Sequence, residues 1–147
     1  MVADLFAGSG IIGFEAASRG AGKTVFIEED KNACDTIKKN TEALAKAGVK
    51  TGFEVIKGNV MSFCPRSQQW KFDYIFMDPP YADTEKVLSI LLADKGFAKF
   101  ASGALVIVKI PGRMSLNFFC GLPNAEIRLK RRFGGTDFIF VSIGSGE

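Results

Sequence analysis

The sequence VADLFAGSGIIG occupies residues 2–13, and it decides the fold of the chain. A short apolar run leads directly into glycines at a GxGxxG spacing, and residues typical of a helix follow. In this pattern the first glycines let the backbone approach a ligand closely, and Gly13 lets the helix pack against the strand. The stretch therefore predicts a strand, a tight turn and a helix that meet at a ligand site.

Strand and helix signals alternate along most of the remaining sequence. Apolar, β-branched strands are predicted at 24–27, 53–56, 74–77 and 104–110, and helices at 31–47, 84–100 (with a break near Gly96) and 114–120. Strands at 126–133 and 137–143 predict a hairpin around Gly134 and Gly135. The alternation predicts an α/β fold, a mainly parallel, doubly wound sheet that is closed by one antiparallel strand.

Four loops follow predicted strands in this arrangement, at 7–10, 28–30, 57–60 and 78–81. Doubly wound sheets bind their ligands beyond the carboxyl ends of the strands, where the strand order reverses. We therefore expect these four loops to converge on one site.

An acidic residue, Glu28, ends the second strand, 20 residues after Gly8. A carboxylate there can accept hydrogen bonds from two ribose hydroxyls, which favours an adenosine-containing cofactor. Asp4 adds a negative charge beside the glycine turn, which is unfavourable for a pyrophosphate but suits a cationic aminoacyl group. The sequence contains no GxxxxGK[ST] motif, so a nucleotide triphosphatase is disfavoured.

The tetrapeptide Asp78-Pro79-Pro80-Tyr81 ends the fourth strand and suits a clamp on the exocyclic amine of a nucleobase. Asp78 can accept one N–H, and the Pro79 carbonyl can accept the other because the following proline holds the chain extended. Two acceptors stabilise the positive charge that develops on the amine as it attacks. Tyr81 offers an aromatic face for stacking. The alternative is a strand terminator with a surface turn, but the position beyond a glycine-rich turn favours the clamp.

The net charge of +3 is unevenly distributed. Residues 109–132 hold six basic residues and one acid, a local charge of +5, so the rest of the chain carries −2. A positive segment on an acidic body favours a polyanionic partner such as nucleic acid, although a solvated surface is the simpler interpretation of the charge alone.

Composition excludes several other functions. The sequence contains no His, which removes imidazole catalysis and His-ligated metals, and its three Cys form no CxxC pair. We expect no metal, and we expect Cys34, Cys64 and Cys120 to be packing residues. No apolar run reaches the length of a membrane helix, and an acid stands where a signal peptide carries Lys or Arg. We therefore expect a cytoplasmic protein with no membrane partner.

Four segments occur in the order typical of S-adenosylmethionine-dependent amino-methyltransferases. They are residues 4–10 (DLFAGSG), 26–30 (FIEED), 58–63 (GNVMSF) and 72–81 (FDYIFMDPPY). The sequence most closely resembles the RsmD-like 16S ribosomal RNA guanine-N2 methyltransferases, and residues 132–137 (RFGGTD) are similar to the last hairpin of that family. The resemblance covers nearly all 147 residues.

The resemblance implies a Rossmann-like class I methyltransferase fold with seven strands, in a single domain over residues 1–147. It implies S-adenosylmethionine as the cofactor and guanine N2 in 16S ribosomal RNA as the methyl acceptor. The expected partner is ribosomal RNA or a small-subunit particle, and the expected state is a monomer. The family normally has a basic amino-terminal extension, which we expect to be absent here because the sequence opens inside the first strand.

The resemblance also implies roles for individual residues. The methionine part of the cofactor is assigned to Asp4, Phe6, Ala7, Gly8 and Gly10, the ribose to Glu28 with Glu29 beside it, and the adenine to Asn59 and Val60. The target base is assigned to Asp78, Pro79, Pro80 and Tyr81. Asn59 stands where relatives often have Asp, but an amide can also meet an adenine edge.

The predicted topology gives the basic segment a position. The carboxyl end of the fifth strand lies beside that of the fourth, so Lys109 and Arg113 are expected to flank Asp78. If the next strand is parallel, its basic end lies on the same edge, with Arg128, Lys130 and Arg132 alternating onto one face, away from Ile127 and Leu129. We expect these five basic residues to bind RNA phosphates.

Three alternatives remain open at this point. The Asp-Pro-Pro-Tyr motif is shared with adenine-N6 and cytosine-N4 methyltransferases acting on RNA or DNA. A nicotinamide-dependent oxidoreductase could use residues 8–13, but it leaves Asp78 to Tyr81 without a role. An inactive RNA-binding module of the same fold predicts RNA binding without methyl transfer. Phe118 and Phe119 are expected to pack, and Phe133 either packs or binds a base.

Overall fold

A computed structural model describes residues 1–67, 69–122 and 124–144, except for the side chain of Tyr81. These ranges contain the strands β1 (Val2–Leu5), β2 (Lys23–Glu28), β3 (Gly52–Lys57), β4 (Tyr74–Met77), β5 (Leu105–Pro111), β6 (Ala125–Phe133) and β7 (Thr136–Ile143). The α-helices are α1 (Ile11–Ser18), α2 (Lys31–Lys46), α3 (Val60–Phe63), α4 (Thr84–Ala93) and α5 (Lys95–Phe100). Short 3-10 helices span Cys64–Arg66, Tyr81–Asp83 and Asn117–Phe119.

The strands form one seven-stranded sheet in the order β3-β2-β1-β4-β5-β7-β6. Strands β1 to β5 pair in parallel, whereas β7 runs antiparallel to both β5 and β6. The strand order reverses between β1 and β4, which is where a doubly wound sheet binds its ligand. The predicted α/β fold, mainly parallel with an antiparallel carboxyl-terminal hairpin, is therefore confirmed.

The central strands are buried on both faces, as parallel strands joined by helices should be. One face packs against α4 and α5 through a cluster that includes Leu5, Ile27, Ile75, Met77, Val106, Leu88, Leu91 and Phe97. On the other face α1 packs closely against β2, where the rings of Phe14 and Phe26 lie 5.0 Å apart. The packing holds the carboxyl ends of β1, β2 and β4 in register.

The predicted helix at 84–100 is two helices, and the break lies at Asp94 rather than at Gly96. The Asp94 carboxylate accepts the N–H of Phe97 at 2.9 Å, which starts α5 with an ordinary N-terminal cap. Gly96 has a different role, because a Cβ there would overlap the carbonyl of Pro65. The helix predicted at 114–120 is only the 3-10 turn at 117–119.

A β-bulge in β6 changes the predicted arrangement of the basic residues. Ile127 pairs with Val141 and Leu129 with Phe140, so Arg128 is an extra residue in the strand. The side chain of Arg128 therefore lies with Ser142, to which its Nε donates at 2.8 Å.

Lys130 pairs with Ile139 and Arg132 with Asp137, so both lie on the face that Ile127 shares. The prediction that Arg128, Lys130 and Arg132 share one face is wrong, because the extra residue interrupts the alternation of side chains between the two faces of the strand.

Other expectations about single residues have mixed outcomes. Cys34 and Cys64 are buried as expected, whereas Cys120 is exposed. Phe119 is buried and Phe118 packs against the core, as expected. Phe133 is 66% exposed, with its ring at an edge-on angle to that of Phe138. No helix in the described part of the chain is long and apolar enough to span a membrane.

Candidate functional site

A cleft of about 160 Å³ opens at the carboxyl edge of the sheet, beside the point where the strand order reverses. It is lined by Phe6, Glu28, Glu29, Gly58, Asn59, Val60, Asp78 and Pro80. These residues lie at or just beyond the carboxyl ends of β1, β2, β3 and β4. Three of the four predicted loops, at 28–30, 57–60 and 78–81, therefore contribute residues to one cleft, and Phe6, directly before the loop at 7–10, lies with them. Seven of the eight lining residues are among those predicted for the site.

The glycine turn leaves room for a ligand at one end and packs tightly at the other. At Gly8, where φ is +54°, an added Cβ would have nothing within 4 Å. At Gly13 a Cβ would overlap the ring of Phe26 and lie 2.8 Å from Cγ2 of Thr24. Gly13 thus has the packing role that the GxGxxG spacing predicts, and Gly8 leaves the room that a closely approaching ligand requires.

Phe6 enters this turn in a left-handed conformation, with φ of 60°. That conformation costs a residue other than glycine about 1–2 kcal/mol. Phe6 also lines the cleft. A strained backbone at a cleft is typical of a functional site.

Asp4 lies beneath the turn rather than at the surface, with 2% of its side chain exposed. Its Oδ2 accepts the N–H of Gly13 at 2.9 Å, which caps α1, because the N-terminal cap residue Gly10 has no side chain to do so. Burial raises the pKa of Asp4 to about 7, the Gly13 N–H opposes the rise, and the charges of Asp78 and Glu28 add to it. The Asp4 carboxyl group therefore titrates near neutral pH, within a cluster of negative charges.

Glu28 joins the loops that follow β1 and β2. Its Oε2 accepts the N–H of Gly8 at 2.7 Å. Its Oε1 accepts the N–H groups of Glu29 and Asp30, each at 2.9 Å. An ionised carboxylate has about four acceptor positions, so three backbone donors leave capacity for a ligand hydroxyl.

Asn59 and Glu29 connect the next two loops. The Nδ2 of Asn59 donates to Oε2 of Glu29 at 2.7 Å. Its Oδ1 accepts the N–H of Met61 at 2.9 Å, which caps the short helix α3. These two contacts orient the amide, so the acids after β2 and the loop after β3 form one wall of the cleft.

Asp78 forms the opposite part of the cleft, directly after β4. Its Oδ2 lies 2.7 Å from Nζ of Lys109 on β5, and both side chains are less than a third exposed. Pro79 is buried and Pro80 is exposed. The Pro80 carbonyl accepts the N–H of Asp83 and the hydroxyl of Thr84, which starts α4. The predicted stacking by Tyr81 concerns a side chain outside the described residues.

The basic end of β6 lies on the same edge as Asp78, because β6 runs parallel to β5. Lys130 and Arg132 both contact the fully buried carboxylate of Asp137, at 3.1 and 2.6 Å. The Arg132 guanidinium holds the pKa of Asp137 well below its usual range. A second ion pair joins Arg128 to Glu126 at 2.8 Å.

Sequence reasoning missed Asp137 as a partner for these cations. A signal was present, because an acid stands among the inward-facing residues of an alternating strand and such a residue requires a counter-charge.

Two exposed arginines, Arg113 and Arg131, form no ion pair with any carboxylate in the described ranges. Arg113 follows β5 and lines a surface pocket of about 270 Å³ with Gly112, Arg132, Gly134 and Gly135. It therefore lies near the hairpin turn, and only Lys109 of the predicted pair contacts Asp78. Arg131, which the sequence interpretation passed over, faces the side of the sheet that carries Phe138.

Comparison with known proteins places these features in context. The family model described as conserved hypothetical protein 95 matches residues 1–142. Ribosomal RNA small subunit methyltransferase D of Haemophilus influenzae is 43% identical over 79 residues, which are 53% of this chain and 40% of that protein. The Escherichia coli protein of the same name is 36% identical over 108 residues, which are 72% of this chain and 50% of that protein. The chain thus spans about half the length of the curated relatives it matches.

A solved structure is similar over almost the whole chain. It is the crystal structure of a Haemophilus influenzae protein that is provisionally described as a methylase. Its TM-score is 0.75 at 29% identity, and the match covers 97% of this chain and 86% of that one.

Proposed function

The chain belongs to the conserved hypothetical protein 95 family of RsmD-like methyltransferases, and from this we propose that it transfers methyl groups from S-adenosylmethionine to ribosomal RNA. One observation carries the proposal. A single cleft at the reversal point of the sheet is lined by Phe6, where the chain enters the glycine turn, by the acids Glu28 and Glu29, and by Asp78 and Pro80. A cofactor site and an amine clamp must share such a cleft if a methyl group is to pass between them.

The acids that line the cleft and the buried Asp4 beneath the glycine turn fit this cofactor. Asp4, Glu28 and Asp78 lie close enough for the charges of the last two to raise the pKa of Asp4. Such a cluster favours a cationic ligand over a pyrophosphate. When bound, S-adenosylmethionine would supply an electrophilic methyl group on a positively charged sulfur.

The cofactor would be held by the predicted residues. Glu28 would accept a ribose hydroxyl at its remaining acceptor position, Asn59 and Val60 would meet the adenine, and the turn from Phe6 to Gly10 would hold the methionine part.

The target amine would be held by Asp78 and the Pro79 carbonyl. Both accept hydrogen bonds, so they stabilise the positive charge that develops on nitrogen. The bound cofactor would supply the methyl group to this nitrogen with its sulfur as the leaving group, and the nitrogen would then lose a proton to water. The contribution of the protein is to hold the three atoms in line. A paired base could not reach this cleft, so the acceptor base should be unpaired or flipped out.

Guanine N2 in 16S ribosomal RNA is the acceptor we propose, on the family resemblance. The RNA would lie along the edge that carries Asp78 and the end of β6, with Arg113 and Arg132 facing its phosphates. Residues 1–147 would form the catalytic domain, with small-subunit ribosomal RNA, free or assembled, as the partner.

Nucleoside analysis tests this proposal. The chain is incubated with methyl-labelled S-adenosylmethionine and either 16S ribosomal RNA or small-subunit particles, and the RNA is then digested. We expect the label in N2-methylguanosine. Label in N6-methyladenosine or N4-methylcytosine would support the methyltransferase activity but contradict the assignment of guanine as the acceptor. RNA binding with no label in any nucleoside would contradict the activity.

A further inference from the structure

We propose that Lys109 is a positioning residue for Asp78, which it holds by one carboxylate oxygen so that the other is presented to the target amine. This inference rests on the proposed function. It also replaces the expectation that Lys109 binds RNA phosphate.

The contact follows from the pairing of two parallel strands. Met77 of β4 is in register with Val108 of β5, so the residues that follow, Asp78 and Lys109, lie side by side at the strand ends. The Nζ to Oδ2 distance of 2.7 Å is that of a charge-assisted hydrogen bond. Because the stems of both side chains start from paired strands, the backbone itself holds this contact in place.

The surroundings of Lys109 favour a role inside the site. Its side chain is 29% exposed, so most of it is covered by protein. On the far side it is paired with Phe138 of β7, an apolar neighbour. An ammonium group in that position lies against the clamp, whereas Arg113 and Arg131 are exposed and form no ion pair within the described residues.

The chemistry of the amine clamp explains why the contact between Lys109 and Asp78 would matter. Asp78 has two equivalent oxygens and a side chain that can rotate, but the amine must meet an acceptor at a fixed place in line with the methyl donor. Holding Oδ2 fixes the position of the other oxygen. The ammonium also offsets repulsion within the cluster of Asp4, Glu28 and Asp78, whose charges act on one another.

The test separates positioning from phosphate binding. Single-turnover methyl transfer at saturating cofactor and RNA is compared for wild type, Lys109→Met and Lys109→Arg, and the RNA Kd is measured over a range of salt concentrations. We expect Lys109→Met to slow transfer on the order of 10- to 100-fold, as misplaced groups do. The RNA Kd and its salt slope should stay within about twofold, and Lys109→Arg should recover most of the rate.

Lys99→Met is the matched control, because Lys99 is an exposed lysine of α5 outside the cleft. It should leave both quantities unchanged. Thermal unfolding shows whether each variant folds, and Lys109→Gln replaces Lys109→Met if the latter does not.

Three results would overturn the proposal. An unchanged rate with a weaker RNA Kd and a salt slope reduced by about one would make Lys109 a phosphate contact. An unchanged rate with an unchanged Kd would make the ion pair incidental. Equal losses of rate in Lys109→Met and Lys109→Arg would show that a positive charge at residue 109 does not restore transfer, so the ion pair would not be what positions Asp78. A wild-type protein that transfers no methyl group fails at the proposed function instead, which this design recognises before any variant is compared.

Discussion

The carboxylate of Glu28 accepts the backbone N–H of Gly8 at 2.7 Å, across 20 residues of sequence. The acid at the end of β2 therefore holds the glycine turn that follows β1. A hydrogen bond between a charged acceptor and an N–H is among the stronger contacts in a protein. The turn and the acid consequently form one unit, and the proposed cofactor site would depend on both.

Glu28→Ala should weaken cofactor binding. The change removes a charged acceptor of three backbone N–H groups. Since a hydrogen bond to a charged group contributes about 1.5–3 kcal/mol, loss of the bond from a ribose hydroxyl to Glu28 should raise the Kd for S-adenosylmethionine about 10- to 100-fold. Calorimetric titration measures this, with Glu42→Ala on the exposed side of α2 as the control. Equal affinities for Glu28→Ala and Glu42→Ala would remove Glu28 from the site.

Asp4→Asn should change how stability depends on pH. The folded pKa of Asp4 is about 7 and the ordinary value is 3.8, so folding takes up a proton between these values. Wild-type stability linked to Asp4 is complete below about pH 4 and is lost as the pH rises through 7. The Asn side chain keeps an oxygen for the Gly13 N–H and does not ionise.

The free energy of unfolding of Asp4→Asn minus that of wild type should therefore increase between pH 4 and pH 8, by up to about 4 kcal/mol. Denaturant titrations of the two proteins at several pH values, without cofactor, measure the difference. Parallel pH curves would show that Asp4 does not titrate in this range.

Gly13→Ala should destabilise the fold, although alanine is the better helix former by about 1 kcal/mol. The added Cβ overlaps the buried ring of Phe26 and lies 2.8 Å from Thr24. We expect a net loss of about 1–3 kcal/mol, the usual cost of overpacking. Gly22→Ala is the control, because its Cβ would have nothing within 4 Å. Urea unfolding of both variants measures this loss. Equal urea midpoints for Gly13→Ala and Gly22→Ala would contradict the close packing of α1.

Asp137→Asn should weaken the hairpin. Arg132, Lys130 and the N–H of Arg113 all contact the Asp137 carboxylate, and they hold its pKa well below the usual range. The stability linked to Asp137 is present above about pH 4 and is lost as the pH falls through the lowered pKa. The variant should unfold at a lower temperature than wild type at pH 7. This difference in unfolding temperature should become smaller as the pH is lowered. A difference that is constant from pH 7 to pH 3 would count against the ion pairs.

The fold and the location of the site could be predicted because both follow from local patterns. The GxGxxG spacing, Glu28 and the Asp78 segment each come at a strand end, and parallel strands bring their carboxyl ends together. The comparisons confirm the resemblance to RsmD-like proteins that these segments indicate.

The face of the basic residues on β6 and their partner Asp137 could not be predicted in the same way. The alternation of side chains along a strand does not reveal that Arg128 is an extra residue, so the predicted face of the basic residues was wrong. The position of Lys109 beside Asp78 was predicted from the strand order, whereas the contact of Asp137 with Arg132 depends on the register of the hairpin. Periodicity places residues on a face, but it does not identify which opposite charge they meet.

The central claim is that Asp78 acts on the target amine and not on the cofactor. The most direct test is the single-turnover rate of methyl transfer to 16S ribosomal RNA by wild type and Asp78→Ala, with the cofactor Kd of each. We expect transfer to fall at least about 100-fold, as when a transition-state acceptor is removed, with the cofactor Kd within about threefold. Transfer by Asp78→Ala at the wild-type rate would contradict the account.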